Sequence, residues 1–245
     1  MLKRFFLLAA LLLVLPAAAS AVEQGYTVFH GARDVPRVAV TVDDCYNAAH
    51  VAEILDLCEA EDVPVTFFVI GTALRDEDRD IWRRAVGLGC EIGNHTYNHA
   101  RLSDLNDRRI RSQLTRAAER FNEVLGWDYT MQVMRPPYGR LSKNPKKKSD
   151  IRVLKAIESA GYRHAVCWDI SQTDPDKAIK AVQNGSILLY HANPKDIRCL
   201  KKLLPALKAS GYTCATVSEL LELTAEDTAI EPEGIPSDWT VEDEP

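Results

Sequence analysis

Val38-Ala39-Val40-Thr41-Val42-Asp43-Asp44 is the stretch from which the fold is read. It is a short, apolar, β-branched run of the kind that forms strands, and it ends in two carboxylates. Similar runs recur on its C-terminal side: Val65–Ile70, Cys90–Ile92, Met131–Met134, His164–Trp168, Ser186–Tyr190 and Thr213–Val217. Helix-like stretches separate them at Asn47–Ala60, Glu77–Leu88, Ser103–Leu125, Asp150–Ala160, Asp176–Gln183 and Pro194–Ser210. Ile110, Leu114, Ala117, Phe121 and Leu125 mark one apolar face of the longest. Seven strand-then-helix units imply parallel strands with right-handed crossovers. That leaves an open doubly wound sheet or a closed barrel, and in either the ligand sits at the carboxyl ends of the strands.

Polar residues gather at those ends. Asp43-Asp44 closes the first strand, and Gly93-Asn94-His95 the third, with His99 four residues on. The fourth runs into Arg135-Pro136-Pro137-Tyr138-Gly139, the fifth ends at Trp168-Asp169 with Asp174 beyond, and the sixth ends at His191. One such residue is easily a helix cap or a core group; five strand ends carrying acids, bases or an Arg are not easily accidental. The i, i+4 spacing of His95 and His99 lets both imidazoles face one way on a helical turn. Two His and one Asp with an open position make a catalytic zinc-type site, and Asp44 is the obvious third ligand. Asp43, its neighbour, is then free to act as a general base.

The ends of the chain differ from its middle. Lys3 and Arg4 precede an apolar run from Phe5 to Leu15, followed by Pro16 and small residues to Ala21. This is the layout of a secretory signal over residues 1–21, with an uncleaved anchor as the rival reading. Either places the body outside the cytoplasm, secreted or in the cell envelope. Residues 224–245 lack an apolar period and read as a solvated acidic tail, with eight carboxylates between Glu226 and Glu244. The net charge of −5 is thus set by the tail, and residues 22–225 carry 28 basic against 27 acidic groups. The acidic balance argues against a nucleic-acid partner. It does not argue against an anionic wall polymer, which a basic loop at Lys143, Lys146, Lys147 and Lys148 could touch. Six cysteines, with no CxxC pair, read as buried thiols rather than a disulfide framework, since a body of this size builds its own core.

Four motifs then resemble one family: Thr41-Val42-Asp43-Asp44, Gly93-Asn94-His95-Thr96-Tyr97-Asn98-His99, Arg135-Pro136-Pro137-Tyr138-Gly139 and Ile187-Leu188-Leu189-Tyr190-His191. In that order they resemble the polysaccharide deacetylases of carbohydrate esterase family 4, the NodB homology domain. The resemblance implies a single catalytic domain over residues 22–223, folded as a distorted (β/α)7 barrel. It implies Asp43 as catalytic base, Asp44, His95 and His99 as metal ligands, and Arg135 holding the base. Tyr138 N–H would serve the oxyanion, Leu189 would line the acetyl pocket, and His191 would act as catalytic acid. Asp174 would orient and tune His191, with Asp169 the competing candidate, and Trp168 would form a substitute wall.

The implied activity is metal-dependent removal of N-acetyl groups from amino-sugar polymers such as peptidoglycan or chitin-like glycans, releasing acetate. The implied cofactor is one divalent ion, Zn2+ first and Co2+ or Ni2+ next. The partner is the acetylated polysaccharide; the protein is expected to be a monomer with no stable membrane span after signal cleavage. Rivals are an O-deacetylase of xylan-type glycans and a non-catalytic wall-binding module of the same fold. Four positions depart from the family pattern. Val42 stands where Phe is usual, Cys45 where Gly is usual and Cys90 where His is frequent, and Asp174 is followed by Pro175 rather than Trp.

Overall fold

The computed structural model describes residues 27–139 and 148–224. The signal segment, the lysines at 143, 146 and 147 and the tail from 225 onward lie outside the described residues. The elements alternate as the sequence predicts. They are β1 (Thr27–Val28), β2 (Arg37–Asp44), α1 (Ala48–Glu61), β3 (Thr66–Val69), α2 (Arg79–Gly87), β4 (Glu91–Asn94) and α3 (Asp107–Leu125). Then come α4 (Lys148–Ser159), β5 (Ala165–Val166), α5 (Pro175–Ala181), β6 (Ile187–His191), α6 (Pro194–Ala209), β7 (Thr213–Ala215) and α7 (Val217–Leu220).

All paired strands are parallel. The main path runs β4-β3-β2-β6, and β1 pairs β5. Ala39 of β2 pairs with both Ile187 and Ala215. A strand residue has only two edges, so β7 lies on the edge opposite β6, which β3 takes over from Thr41 onward. Single-residue parallel bridges link Asn94 to Met134, Met134 to Ala165, and Ile170 to Leu188. These bridges carry the circuit from β4 through β5 to β6, as in a distorted barrel. Met131–Met134 is not a strand as predicted; only Met134 bridges. Pro136 and Pro137 follow at once and have no N–H to extend a ladder.

Alternation along β2 separates two cores. Val38, Val40 and Val42 are fully buried in the large cluster that includes Val51, Ile54 and Leu55 of α1 and Leu200, Leu203 and Leu204 of α6. Ala39 faces the other way, into a smaller cluster with Phe68, Val133, Val166 and Ile187. Thr41 and Asp43 share the parity of Ala39, so the period of two carries Asp43 to the inner face at the top of the strand. Helix starts are capped by side chains: Asn47 for α1, Asn106 for α3 and Asn193 for α6. The Asn106 cap is why α3 begins at Asp107 and leaves Leu102–Asp104 as a separate 3-10 turn. All six cysteines are buried free thiols. Among the described residues no helix is long and apolar enough to cross a membrane.

Candidate active site

The carboxyl ends of β2, β4 and β6, with the segments after Met134 and Val166, enclose a pocket of about 130 Å³. Asp43, Asp44, His95, His99, Tyr138, Trp168, Leu189 and His191 all line it.

Arg135 lies behind the pocket, fully buried. Its Nη1 donates to Asp43 Oδ1 at 2.6 Å and to Thr41 Oγ1 at 2.7 Å. Its Nε and Nη2 donate to the carbonyls of Val166 and Cys167, both at 3.1 Å. The guanidinium also lies over the Phe68 ring, 4.1 Å from its centroid. A buried charge is tolerable only when paired and fully hydrogen-bonded. Here one Arg meets that condition and fixes the rotamer of Asp43.

Asp43 and Asp44 diverge because the strand ends between them: Asp44 and Cys45 take φ of 71° and 59°. That left-handed turn swings Asp44 onto the rim, beside both imidazoles. Asp44 Oδ1 is 3.5 Å from His95 Nε2 and 3.5 Å from His99 Nε2. The three donor atoms lie within 4.8 Å of one another. His95 Nδ1 is 2.8 Å from the Arg135 carbonyl. A carbonyl only accepts, so the Nδ1 proton points there, leaving the Nε2 lone pair for the site. Burial pushes the Asp44 carboxyl up, but the His95 hydrogen bond and the charges of His95, His99 and His191 outweigh it and hold the group below the usual range. For His99, burial first and then His95 push the pKa down. One carboxylate and two imidazole nitrogens converging in this way are a suitable donor set for a divalent ion.

The histidines reach this geometry by a different route from the one predicted. Residues 95–100 are not a helical turn; Thr96 and His99 have φ of 69° and 60°. Asn94, fully buried, accepts from Thr96 N and donates to the Leu114 carbonyl and the Tyr162 hydroxyl. Gln113 of α3 accepts from the N–H groups of Tyr97 and Asn98. Gly93 is required for packing, since a Cβ there would sit 2.7 Å from the Phe68 ring.

Tyr138, at φ 66°, packs its ring 4.6 Å from that of His99, and the Arg101 guanidinium stands 5.2 Å from the centre of the tyrosine ring. Trp168 is half-buried and forms a wall: a Cβ on Gly139 would lie 2.5 Å from its ring. Leu189 is buried at the pocket floor.

The acid partner of His191 needs correction. Asp174 does not reach His191. It is the N-cap of α5, accepting from Asp176 N and Lys177 N, with Pro175 at the first helical position. Asp169 is engaged elsewhere, by Ile187 N, the Ser186 hydroxyl and Arg33. The carboxylate beside His191 is Asp196, unmentioned in the sequence reading. Its Oδ2 accepts from His191 N at 2.8 Å and lies 3.4 Å from His191 Nδ1. This contact is the main cause of a raised His191 pKa, against the opposing effect of burial. The signal was present: Asn193-Pro194 announces a helix start, and Asp196 is its third residue, where side chains point back to the preceding strand end.

The comparisons agree with this geometry. Residues 30–165 match the family described as polysaccharide deacetylase. The peptidoglycan-N-acetylglucosamine deacetylase of Bacillus cereus is 29% identical over 212 residues, covering 80% of this chain and 93% of that protein. A bifunctional xylanase/deacetylase of Pseudobutyrivibrio xylanivorans is 28% identical over 79% of this chain, which spans only 32% of that longer protein. Among solved structures, the Bc1960 peptidoglycan N-acetylglucosamine deacetylase superposes with a TM-score of 0.70 at 26% identity, covering 83% of this chain and 96% of that one. With half the chain matched by the family description and the family's motifs meeting in one pocket, the chain belongs to the polysaccharide deacetylase family.

Proposed function

We propose that this protein is a metal-dependent hydrolase that removes N-acetyl groups from an amino-sugar polymer, of the peptidoglycan or chitin type, outside the cytoplasm. The observation that carries the reading is the division of labour between adjacent carboxylates. Asp43 is locked by Arg135 at 2.6 Å, while Asp44 faces two imidazoles at 3.5 Å. A binding module needs neither a held base nor an acid across the same pocket.

Asp44, His95 and His99 would hold a divalent ion, Zn2+ the first choice, which would supply Lewis-acid polarisation of the acetyl carbonyl and of water. Asp43 takes the proton from the attacking water. The Tyr138 N–H donates to the oxyanion as it forms. His191, protonated and backed by Asp196, gives its proton to the sugar nitrogen as the C–N bond breaks. Leu189 and Trp168 enclose the acetyl methyl. Acetate and a free amine result. Residues 1–21 act as the export signal, residues 22–223 are the catalytic domain and the tail from 224 is an appendage.

A second reading, O-deacetylation of a xylan-type glycan, is favoured by the deacetylase named with a xylanase in Pseudobutyrivibrio xylanivorans. Acetate release measured on purified peptidoglycan, chitin oligomers and acetylated xylan distinguishes the two. The expected result is release from an N-acetylated glycan, with His95→Ala losing both metal and activity and Asp43→Asn losing activity but keeping metal. A fully active Asp43→Asn enzyme overturns the role of the base.

A further inference from the structure

A second cavity, of about 460 Å³, lies between the start of α5 and the flank of α6. Thr173 and Pro175 form one side; Lys195, Arg198, Lys201 and Lys202 form the other. These four residues fall within an arc of about 120° and about 10 Å along the helix, given 100° and 1.5 Å per residue. They are exposed, and none of the four side chains has a hydrogen bond or ion pair among the described residues. The fifth cation of α6, Lys208, does contact Glu61. Half-buried arginines elsewhere engage acids: Arg84 with Asp56 and Glu59, Arg120 with Asp76, Arg152 with Asp107.

The pattern works against the helix that bears it. Arg198 stands three residues from Lys195 and Lys201 and four from Lys202, so each pair repels. Lys195 also stands in the first turn of α6, where the backbone dipole is already positive. The only acid in α6, Asp196, is turned away toward His191. Among the described residues no acid pairs with any of the four. An anion from outside would, and the groove begins where α6 leaves the catalytic rim, since Lys195 is four residues from His191.

We propose that this groove binds the anionic groups, carboxylate or phosphate, of the polymer whose acetylated sugar enters the pocket. The proposal rests on the glycan-deacetylase reading for the purpose of that binding; the binding itself is measured apart from turnover. The full chain and a variant with Lys195→Gln, Arg198→Gln, Lys201→Gln and Lys202→Gln are co-sedimented with insoluble cell wall at two salt concentrations. Three wall preparations are used: intact, stripped of phosphate polymer by acid, and with peptide carboxyls amidated. Chitin is the neutral control. The variant should bind intact wall roughly tenfold more weakly at low salt, the order expected of four exposed ion pairs, and bind chitin unchanged. The preparation on which the difference disappears identifies the anion. Equal binding of variant and wild type to intact wall, or an equal loss on chitin, overturns the proposal. So does a difference that emerges only after removal of residues 225–245, because the acidic tail is then the occupant. Absence of acetate release with the binding difference intact counts against the deacetylase reading and leaves the groove assigned.

Discussion

Replacing Asp196 by Asn tests which carboxylate serves His191, the proposed catalytic acid. The substitution is isosteric, and the new amide oxygen can still accept from His191 N, so the strand end stays in place. What is lost is a negative charge 3.4 Å from His191 Nδ1. The His191 side chain is 43% exposed, so solvent screens the pair. Such pairs are worth roughly 0.2–1 kcal/mol, which corresponds to a loss of about 1.5- to 5-fold in kcat/KM near neutral pH. Removing the acid altogether, in His191→Ala, should cost on the order of 10²- to 10⁴-fold. The sign of the pH effect follows from the role. His191 must be protonated to donate, Asp196 raises its pKa, and activity falls as pH rises through that value. Without the charge the pKa drops, so the alkaline limb of kcat/KM moves to lower pH. Asp174→Ala is the matched control. It removes the cap of α5 and should cost about 1 kcal/mol of stability while leaving the alkaline limb unmoved. The readout is a pH–rate profile with a soluble acetylated oligomer, beside a denaturant titration. An unmoved limb in Asp196→Asn, or one that moves in Asp174→Ala, refutes the assignment.

Arg135→Met leaves the Asp43 carboxylate and two carbonyls without their donor inside the barrel. It should lower stability by about 3–5 kcal/mol, seen as a lower denaturant midpoint, and Arg135→Lys should recover only part because one ammonium cannot serve four acceptors at once. Gly139→Ala drives a methyl into the Trp168 ring and should lower kcat/KM with a stability cost of about 1–3 kcal/mol, whereas the double change with Trp168→Leu should recover only part of the stability, since a φ of 56° strains any Cβ there, and none of the activity. Asp62→Gly, at a left-handed helix end remote from the pocket (φ 54°), should raise the melting temperature slightly, since glycine adopts that conformation without the Cβ penalty of about 1 kcal/mol.

The alternation of strands and helices was legible because apolar periodicity is local, and every candidate site residue except Asp174 and its rival Asp169 came to, or directly behind, one pocket. What failed was tertiary or conformational. Met131–Met134 has a strand's composition, yet two prolines end its pairing. The His95–His99 spacing suggested a helical turn, but buried Asn94 and Gln113 impose a left-handed loop that spacing alone does not encode. Asp174 was assigned by family pattern, although Asp174-Pro175-Asp176 is itself a helix-start signature. Asp196 was missed because its role depends on how α6 folds back over the end of β6.

The backbone explains why so many polar residues without chemistry are buried here. Seven non-glycine residues among those described have positive φ, and five belong to the site: Asp44, Cys45, Thr96, His99 and Tyr138. At about 1 kcal/mol or more each, their strain is comparable to the 5–15 kcal/mol by which a domain is stable at all. It persists only if the surroundings over-determine it. Asn94 holds the turn at Thr96, and Gln113 holds the two N–H groups between Thr96 and His99. The turn at Asp44 is closed by Cys45 N donating to the Asp43 carbonyl at 2.9 Å and by burial of the Cys45 side chain, 2% exposed. Cys45 stands where the family usually has glycine, the residue for which a φ of 59° carries no penalty. The thiol therefore trades backbone ease for packing beside the Asp44 carboxylate. Its conformation, held by neighbours rather than by its own preference, keeps Asp43 and Asp44 on separate tasks.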